Sequence, residues 1–242
     1  MFYKNFTQDY EDIFPYRENV FSFLQSYTSI NSPNILDIGC GTGHYTHKFS
    51  QKGYHATGID LNKEMILHAK NSYPKTTFNI LDLKNINDLN ISFDTVYSTG
   101  NVIAHISKSE LLIFLKNLKY IMQDGGMWIF QVLNFDYICT LNFYNLPIIE
   151  TKQRIFKRWY TEIKDTDLQF NTQLINKTNN QTLFKDTITL YPMKSKEYID
   201  LHYSNGFKLK EQFASYLKED YIKEKESANI LVFQLQKETI NE

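Results

Sequence analysis

The nine residues at 35–43, ILDIGCGTG, constrain this chain more than any other stretch. A short apolar run at 34–38 reads as a buried strand, glycines follow it at once, and residues 44–52 have helix-compatible spacing that ends at Gly53. A strand, a tight turn with glycines at alternate positions and a helix in direct succession open an α/β unit. Glycine at Gly39, Gly41 and Gly43 lets the backbone turn sharply and lets a ligand approach the main chain without meeting a Cβ. The next strand, 54–59, leads into Asp60, 19 residues beyond Gly41. A carboxylate at that point can accept two hydrogen bonds from the ribose hydroxyls of an adenosine.

The alternation continues. A helix over 63–72 is halted by Pro74, and strands are expected at 77–81 and 93–98. A helix over 110–122 carries Leu111, Leu112, Leu115, Leu118 and Ile121 on one face and stops at Asp124-Gly125-Gly126, ahead of a fifth strand at 127–133. Such alternation implies a mainly parallel sheet covered on both faces. After about residue 140 the pattern changes to strand-like runs at 154–163, 167–175 and 183–190, the last two reading as a hairpin. A helix at 194–203 and strands at 207–213 and 229–235 complete the chain. With 42% of 242 residues apolar and no Gly-, Pro- or Ser-rich linker, one domain is expected. Its parts are a helical segment at 1–33, a ligand-binding core at 34–141, an inserted antiparallel segment at 142–192 and a completion of the sheet at 193–242.

Two ligand classes use a glycine turn of this kind. Dinucleotide enzymes need Gly-x-Gly-x-x-Gly, the third glycine permitting close contact between helix and strand. Counted from Gly39 that position is His44, and from Gly41 it is Thr46. The spacing found, Gly-x-Gly-x-Gly preceded by Asp37, suits a ligand without a pyrophosphate.

ILDIGCGTG and GIDLNKEMI resemble the first and second motifs of class I S-adenosylmethionine (SAM)-dependent methyltransferases. The resemblance implies a Rossmann-like sheet of seven strands with the last one antiparallel. It also implies that Asp37, Gly39, Cys40, Gly41 and Gly43 lie against SAM, the glycines under its methionine part. Asp60 would hold the ribose, and Leu61 and Met65 would pack on adenine, although Met65 also suits the core face of its helix. Asp82 would accept from the adenine amine, with the amide of Leu83 at the ring; a turn-forming role for Asp82 is the alternative. Residues 98–105 and 125–138 are similar to glycine N-methyltransferases, which points to Thr99 and His105 as SAM contacts and Asn134 as an acceptor contact. Related enzymes hold the SAM carboxylate with an N-terminal tyrosine and arginine, so Tyr10, Tyr16 and Arg17 are candidates. Val102-Ile103 and the segment after residue 140 depart from the glycine enzymes.

Methyl transfer from a sulfonium is an in-line displacement, and the protein chiefly aligns the two partners and excludes water. No particular catalytic side chain is required, and none is assigned. The chain's 26 basic residues include only three arginines. Arg154 and Arg158, with Trp159, are the candidate acceptor contacts, and the insertion's aromatics Phe143, Tyr144, Phe156, Trp159 and Tyr160 can wall a pocket, surface or core placement being the alternative. A net charge of -1 without long blocks of like charge leaves no footprint for nucleic acid or an anionic membrane. After the fourth strand the chain reads Ser98-Thr99-Gly100-Asn101, not the Asn/Asp-Pro-Pro-aromatic motif of base-amine methylation. Cys40 and Cys139 have no metal-ligand spacing and make no disulfide framework, so no metal is expected. An acidic N-terminus and the lack of a long apolar run point to a cytoplasmic setting. The expectation is methylation of an N or O atom of a small molecule, with S-adenosylhomocysteine (SAH) as product. An RNA or protein acceptor, a non-catalytic SAM-binding protein and, more remotely, an NAD-dependent oxidoreductase stay open.

Overall fold

Helices α1 (Thr7–Ile13) and α2 (Glu18–Gln25) precede β1 (Asn34–Ile38), α3 (His44–Gln51) and β2 (His55–Asp60) in a computed structural model that describes residues 7–236. Residues 1–6 and 237–242, the outer ends of the first and last expected segments, lie outside the described residues. Next come α4 (Lys63–Ser72), β3 (Thr77–Ile80), a 3-10 helix (Leu83–Leu89) and β4 (Phe93–Ser98). A second 3-10 turn (Val102–His105), α5 (Lys108–Ile121), β5 (Met122–Leu133) and the short α6 (Phe135–Ile138) follow. The chain then forms β6 (Tyr144–Asn145), β7 (Ile149–Glu150), β8 (Arg154–Thr161), β9 (Leu168–Asn176) and β10 (Thr182–Leu190). It ends in α7 (Ser195–Ser204), β11 (Phe207–Phe213) and β12 (Ala228–Leu235).

Seven strands form one sheet in the order β11-β12-β5-β4-β1-β2-β3. Strands β1 to β5 pair in parallel, whereas β12 runs antiparallel to both neighbours, β5 and β11. The expected seven-stranded sheet with a reversed last strand is the sheet observed. Side chains alternate across it. Ile35, Tyr97, Ile129 and Val232 point to one face and pack against Val20, Phe21 and Phe49 of α2 and α3. Leu36, Val96, Phe130 and Phe233 point to the other and meet Leu111, Phe114, Leu115 and Leu118 of α5. Each such side chain contributes about 1.5–3 kcal/mol by leaving water.

Two of the boundaries that differ from the sequence reading have a clear local cause. Helix α5 starts at Lys108 because Ser107 caps it: its Oγ accepts from the Glu110 N–H while Glu110 Oε2 accepts from the Ser107 N–H. Strand β5 starts at Met122 rather than 127, because Asp124-Gly125-Gly126 is a bulge and not a stop. Phe93 pairs with Met122 and Thr95 with Met127, so the extra residues loop out inside the strand.

The insertion forms a separate antiparallel sheet, β10-β9-β8-β6, with β7 also on β8. Helix α1 ties it to the main sheet. Ile13 of α1, Met65 of α4, Phe156 of β8 and Leu174 of β9 share one buried cluster, and Arg154 Nε lies 2.9 Å from Asp9 Oδ1. Among the described residues no helix is long and apolar enough to cross a membrane.

Candidate active site

Gly39, Gly41 and Gly43 adopt positive φ angles of 73°, 55° and 84°, the left-handed region that side chains disfavour. The loop they form consumes its own donors. The N–H groups of Gly39 and Cys40 both donate to Ile59 O, at 2.8 and 3.0 Å; that of Gly41 donates to Asp60 Oδ2 at 3.0 Å, and that of Gly43 to Cys40 O at 2.9 Å. A pyrophosphate-binding turn must keep such donors free. This one suits an adenosyl ligand that meets the loop by contact, without phosphates. A Cβ on Gly39 would come within 2.5 Å of Val102 Cγ2, so the missing side chain makes room for the valine that departs from the glycine enzymes. A Cβ on Gly43 would lie 2.4 Å from Phe78 Cε1 and 3.1 Å from Ala69 Cβ. Gly43→Ala is therefore expected to destabilise the fold by about 2–4 kcal/mol, strain and overlap together. A thermal melt checks this, and an unchanged midpoint would mean that Phe78 yields.

Asp60 closes the loop from the neighbouring strand. One carboxylate oxygen accepts from the Gly41 N–H and the other from the Asn62 N–H at 2.8 Å, and burial raises its pKa. A carboxylate has about four acceptor sites, so two remain for a diol. Leu61 beside it is 70% exposed, an apolar side chain standing free at a strand end. Leu81 N–H donates to Asp60 O at 3.1 Å, which brings Asp82 and Leu83 alongside. Asp82 serves as the turn former there: Oδ1 accepts from the Lys84 N–H at 2.9 Å, and Oδ2 is 3.6 Å from Lys84 Nζ.

From the glycine loop a cavity of about 410 Å³ runs to the inserted sheet. Tyr10, Arg17, Asp37, Gly39, Cys40, Thr99, His105 and Arg158 all line it. Tyr10 lies across the loop, its hydroxyl 3.2 Å from where a Gly41 Cβ would sit. Asp37 is 3% exposed and accepts from Thr46 Oγ1 at 2.6 Å, while burial pushes its carboxyl up to about 7. Burial drives His105 down to about 4, so its imidazole is neutral.

Gly41, Gly43, Asp60, Leu61, Asp82 and Leu83 stand at the loop and the adjoining strand ends rather than in the cavity lining, and five other residues singled out from the sequence sit elsewhere. Tyr16 turns away from the cavity, donating to Glu18 Oε2 at 2.7 Å. Met65 is 1% exposed within the cluster under α1. Arg154 is spent on Asp9. Trp159 is on the wrong face of β8: Phe156, Arg158 and Tyr160 line the cavity, and the strand's period of two sends Trp159 to the opposite side, where Lys185 Nζ stands 6.0 Å from its ring. Asn134 is 0% exposed and saturated by the chain itself. Its Nδ2 donates to the carbonyls of Ile222, Lys223 and Lys225, and its Oδ1 accepts from Tyr221 Oη at 2.6 Å. It brackets the loop between β11 and β12 rather than touching the cavity.

Sequence reasoning missed Tyr45, Gln131 and Tyr216 on the cavity wall, whereas Phe156 and Tyr160, two of the insertion's aromatics, do line it. Gln131 Oε1 accepts from the Gly100 N–H at 2.9 Å, and Asn101, at φ 67°, receives the Leu133 N–H on Oδ1 and reaches Tyr160 Oη with Nδ2 at 3.4 Å. These bonds fix the turn after β4 that presents Thr99. The Gly100-Asn101 pair, two residue types that tolerate the left-handed conformation, was the available signal.

A family model for the methyltransferase domain matches residues 35–126. Rat (Rattus norvegicus) glycine N-methyltransferase is 27% identical over 121 residues, 43% of this chain and 41% of that protein. The malonyl-[acyl-carrier protein] O-methyltransferase of Erwinia pyrifoliae is 28% identical over 103 residues, 43% of this chain and 38% of that one. The chain thus spans well under half the length of either relative. Among solved structures, an S-adenosylmethionine-dependent methyltransferase from Clostridium acetobutylicum superposes with a TM-score of 0.81 at 16% identity, covering 98% of this chain and all of that one. A SAM-bound amino pentose methyltransferase from Micromonospora echinaspora gives 0.71 at 14% identity, with 98% of both chains covered. Those two likenesses are of fold. A glycine turn with its amides already taken, set in a sheet whose last strand is reversed, agrees with both kinds of match: residues 35–126 are similar to a methyltransferase domain, and the chain has the fold of S-adenosylmethionine-dependent methyltransferases.

Proposed function

We propose that this protein transfers the methyl group of SAM to a small-molecule acceptor held between the glycine loop and the inserted sheet. One observation carries the reading: a single cavity has Gly39 and Cys40 on one wall and Phe156, Arg158, Tyr160 and Phe170 on the other. Donor and acceptor would meet inside it, with the inserted sheet excluding water. On the donor side Asp60 would receive the ribose hydroxyls, Leu61 would cover adenine, and Arg17 would meet the carboxylate. SAM, when bound, supplies an activated methyl group, and the chain's task is alignment. An amine that arrives deprotonated needs no base; a hydroxyl acceptor would find the neutral imidazole of His105 on the wall. The free thiols Cys40 and Cys139 suit a reducing, cytoplasmic setting.

Isothermal titration with SAM, SAH and NAD tests the donor, and release of labelled methyl groups to amines, amino acids and phenols tests the transfer. NAD binding without SAM binding would overturn the reading. The pH dependence of donor binding is a sharper check. A sulfonium beside Asp37 favours the ionised carboxylate, whereas the neutral thioether of SAH does not. SAM binding should therefore weaken as pH falls through about 7, where Asp37 takes up its proton. The ratio of SAM to SAH affinity is expected to rise roughly 3- to 10-fold from about pH 6 to about pH 8. A flat ratio would remove Asp37 from contact with the sulfonium.

A further inference from the structure

Of the three arginines, Arg154 has a carboxylate partner and Arg17 stands at the glycine-loop end of the cavity, exposed. Arg158 is different. It lies in the wall formed by the inserted sheet, sunk between two rings, its guanidinium carbon 5.6 Å from the Phe14 centroid and 5.5 Å from that of Phe156. Nη2 donates to Pro147 O at 3.0 Å, while Nε is buried with no hydrogen-bond partner. Among the described residues no carboxylate forms an ion pair with it. Burial accordingly lowers its pKa, the Tyr160 and Tyr144 hydroxyls opposing only in part.

A guanidinium withdrawn from water without a counter-charge is costly, and structures normally pair it. Ring stacking and one carbonyl satisfy part of its surface but none of its charge. The planar fork of arginine fits an oxyanion with two parallel bonds, which a lysine at the same place would not. The cavity is the side from which a counter-charge can reach it. From these contacts we infer that the methyl acceptor carries an anionic oxyacid group, a carboxylate or a phosphate, that docks on Arg158 while the nucleophilic atom points to the donor. This rests on the proposed transfer and names its substrate class. The family match ends at residue 126, before the inserted sheet.

The test loads the protein with SAH and measures the melting midpoint in sodium acetate, sodium phosphate and sodium chloride at matched ionic strength. One charge-assisted pair corresponds to a dissociation constant of roughly 10–100 mM, so about 100 mM of the right anion should raise the midpoint by about 2 °C over chloride. A response to acetate alone assigns a carboxylate, and a response to phosphate alone assigns a phosphorylated acceptor. Arg158→Met should abolish the response, and Arg158→Lys should reduce it several-fold. Equal midpoints in all three salts, or a response that survives in Arg158→Met, overturn the inference. SAH affinity is measured by titration on the same proteins. Loss of SAH binding in the wild type would sink the methyltransferase reading, whereas intact SAH binding without an anion response sinks only the docking site. If Arg158→Met does not fold, Arg158→Lys carries the comparison.

Discussion

Asp60→Ala is expected to weaken SAM binding by about 1–3 kcal/mol, roughly 5- to 150-fold in affinity, while the protein still folds. Two losses add. The ribose would lose a charged acceptor, and the Gly41 N–H would lose the carboxylate oxygen that holds the loop in place at 3.0 Å. Asp60→Asn separates the two, because its one oxygen can accept from either Gly41 or the sugar but not serve both with full charge. Binding in Asp60→Asn should fall between wild type and Asp60→Ala. Titration calorimetry reads the affinities and circular dichroism the fold. Wild-type affinity in Asp60→Ala would remove the central support for the donor site.

Asn134→Ala should act on the fold and not on the acceptor. The side chain reaches three carbonyls and a phenol from the loop between β11 and β12, and Tyr221 Oη also lies 2.8 Å from Asp136 Oδ2. Removing the amide leaves several buried groups short of partners, costing roughly 2–4 kcal/mol. For a chain of this size that lowers the melting midpoint by about 5–15 °C. The loop also carries Tyr216 into the cavity wall, so activity would fall in step with stability. Were Asn134 an acceptor contact, the variant would instead melt like wild type and lose turnover. The two outcomes do not overlap.

These positions also mark how far the sequence is readable. The glycine turn, Asp60 and the strand–helix alternation are local signals: spacing and backbone freedom within a few dozen residues dictate them, and they stand in the fold where the pattern puts them. The bulge in β5 was misread because Asp124-Gly125-Gly126 spells a turn in isolation. Only pairing with Phe93 and Thr95 keeps it inside the strand. Arg154 and Arg158 lie four residues apart on one face, yet Asp9 reaches the first and, among the described residues, no carboxylate pairs with the second. Trp159 and Arg158 are neighbours in sequence and on opposite faces of a strand whose register nothing local reveals.

The amino-acid sequence by itself determined the donor half of this protein, because a turn that needs left-handed glycines and a carboxylate one strand away leaves few other ways to fold. Tertiary structure alone decided the inserted-sheet side of the cavity. Which side chains of the inserted sheet face the cavity depends on strand register, on the docking of α1 over Phe156 and Met65, and on a loop some 90 residues downstream saturating Asn134. Those are long-range contacts, and a contact's chemistry is set by whichever group arrives opposite.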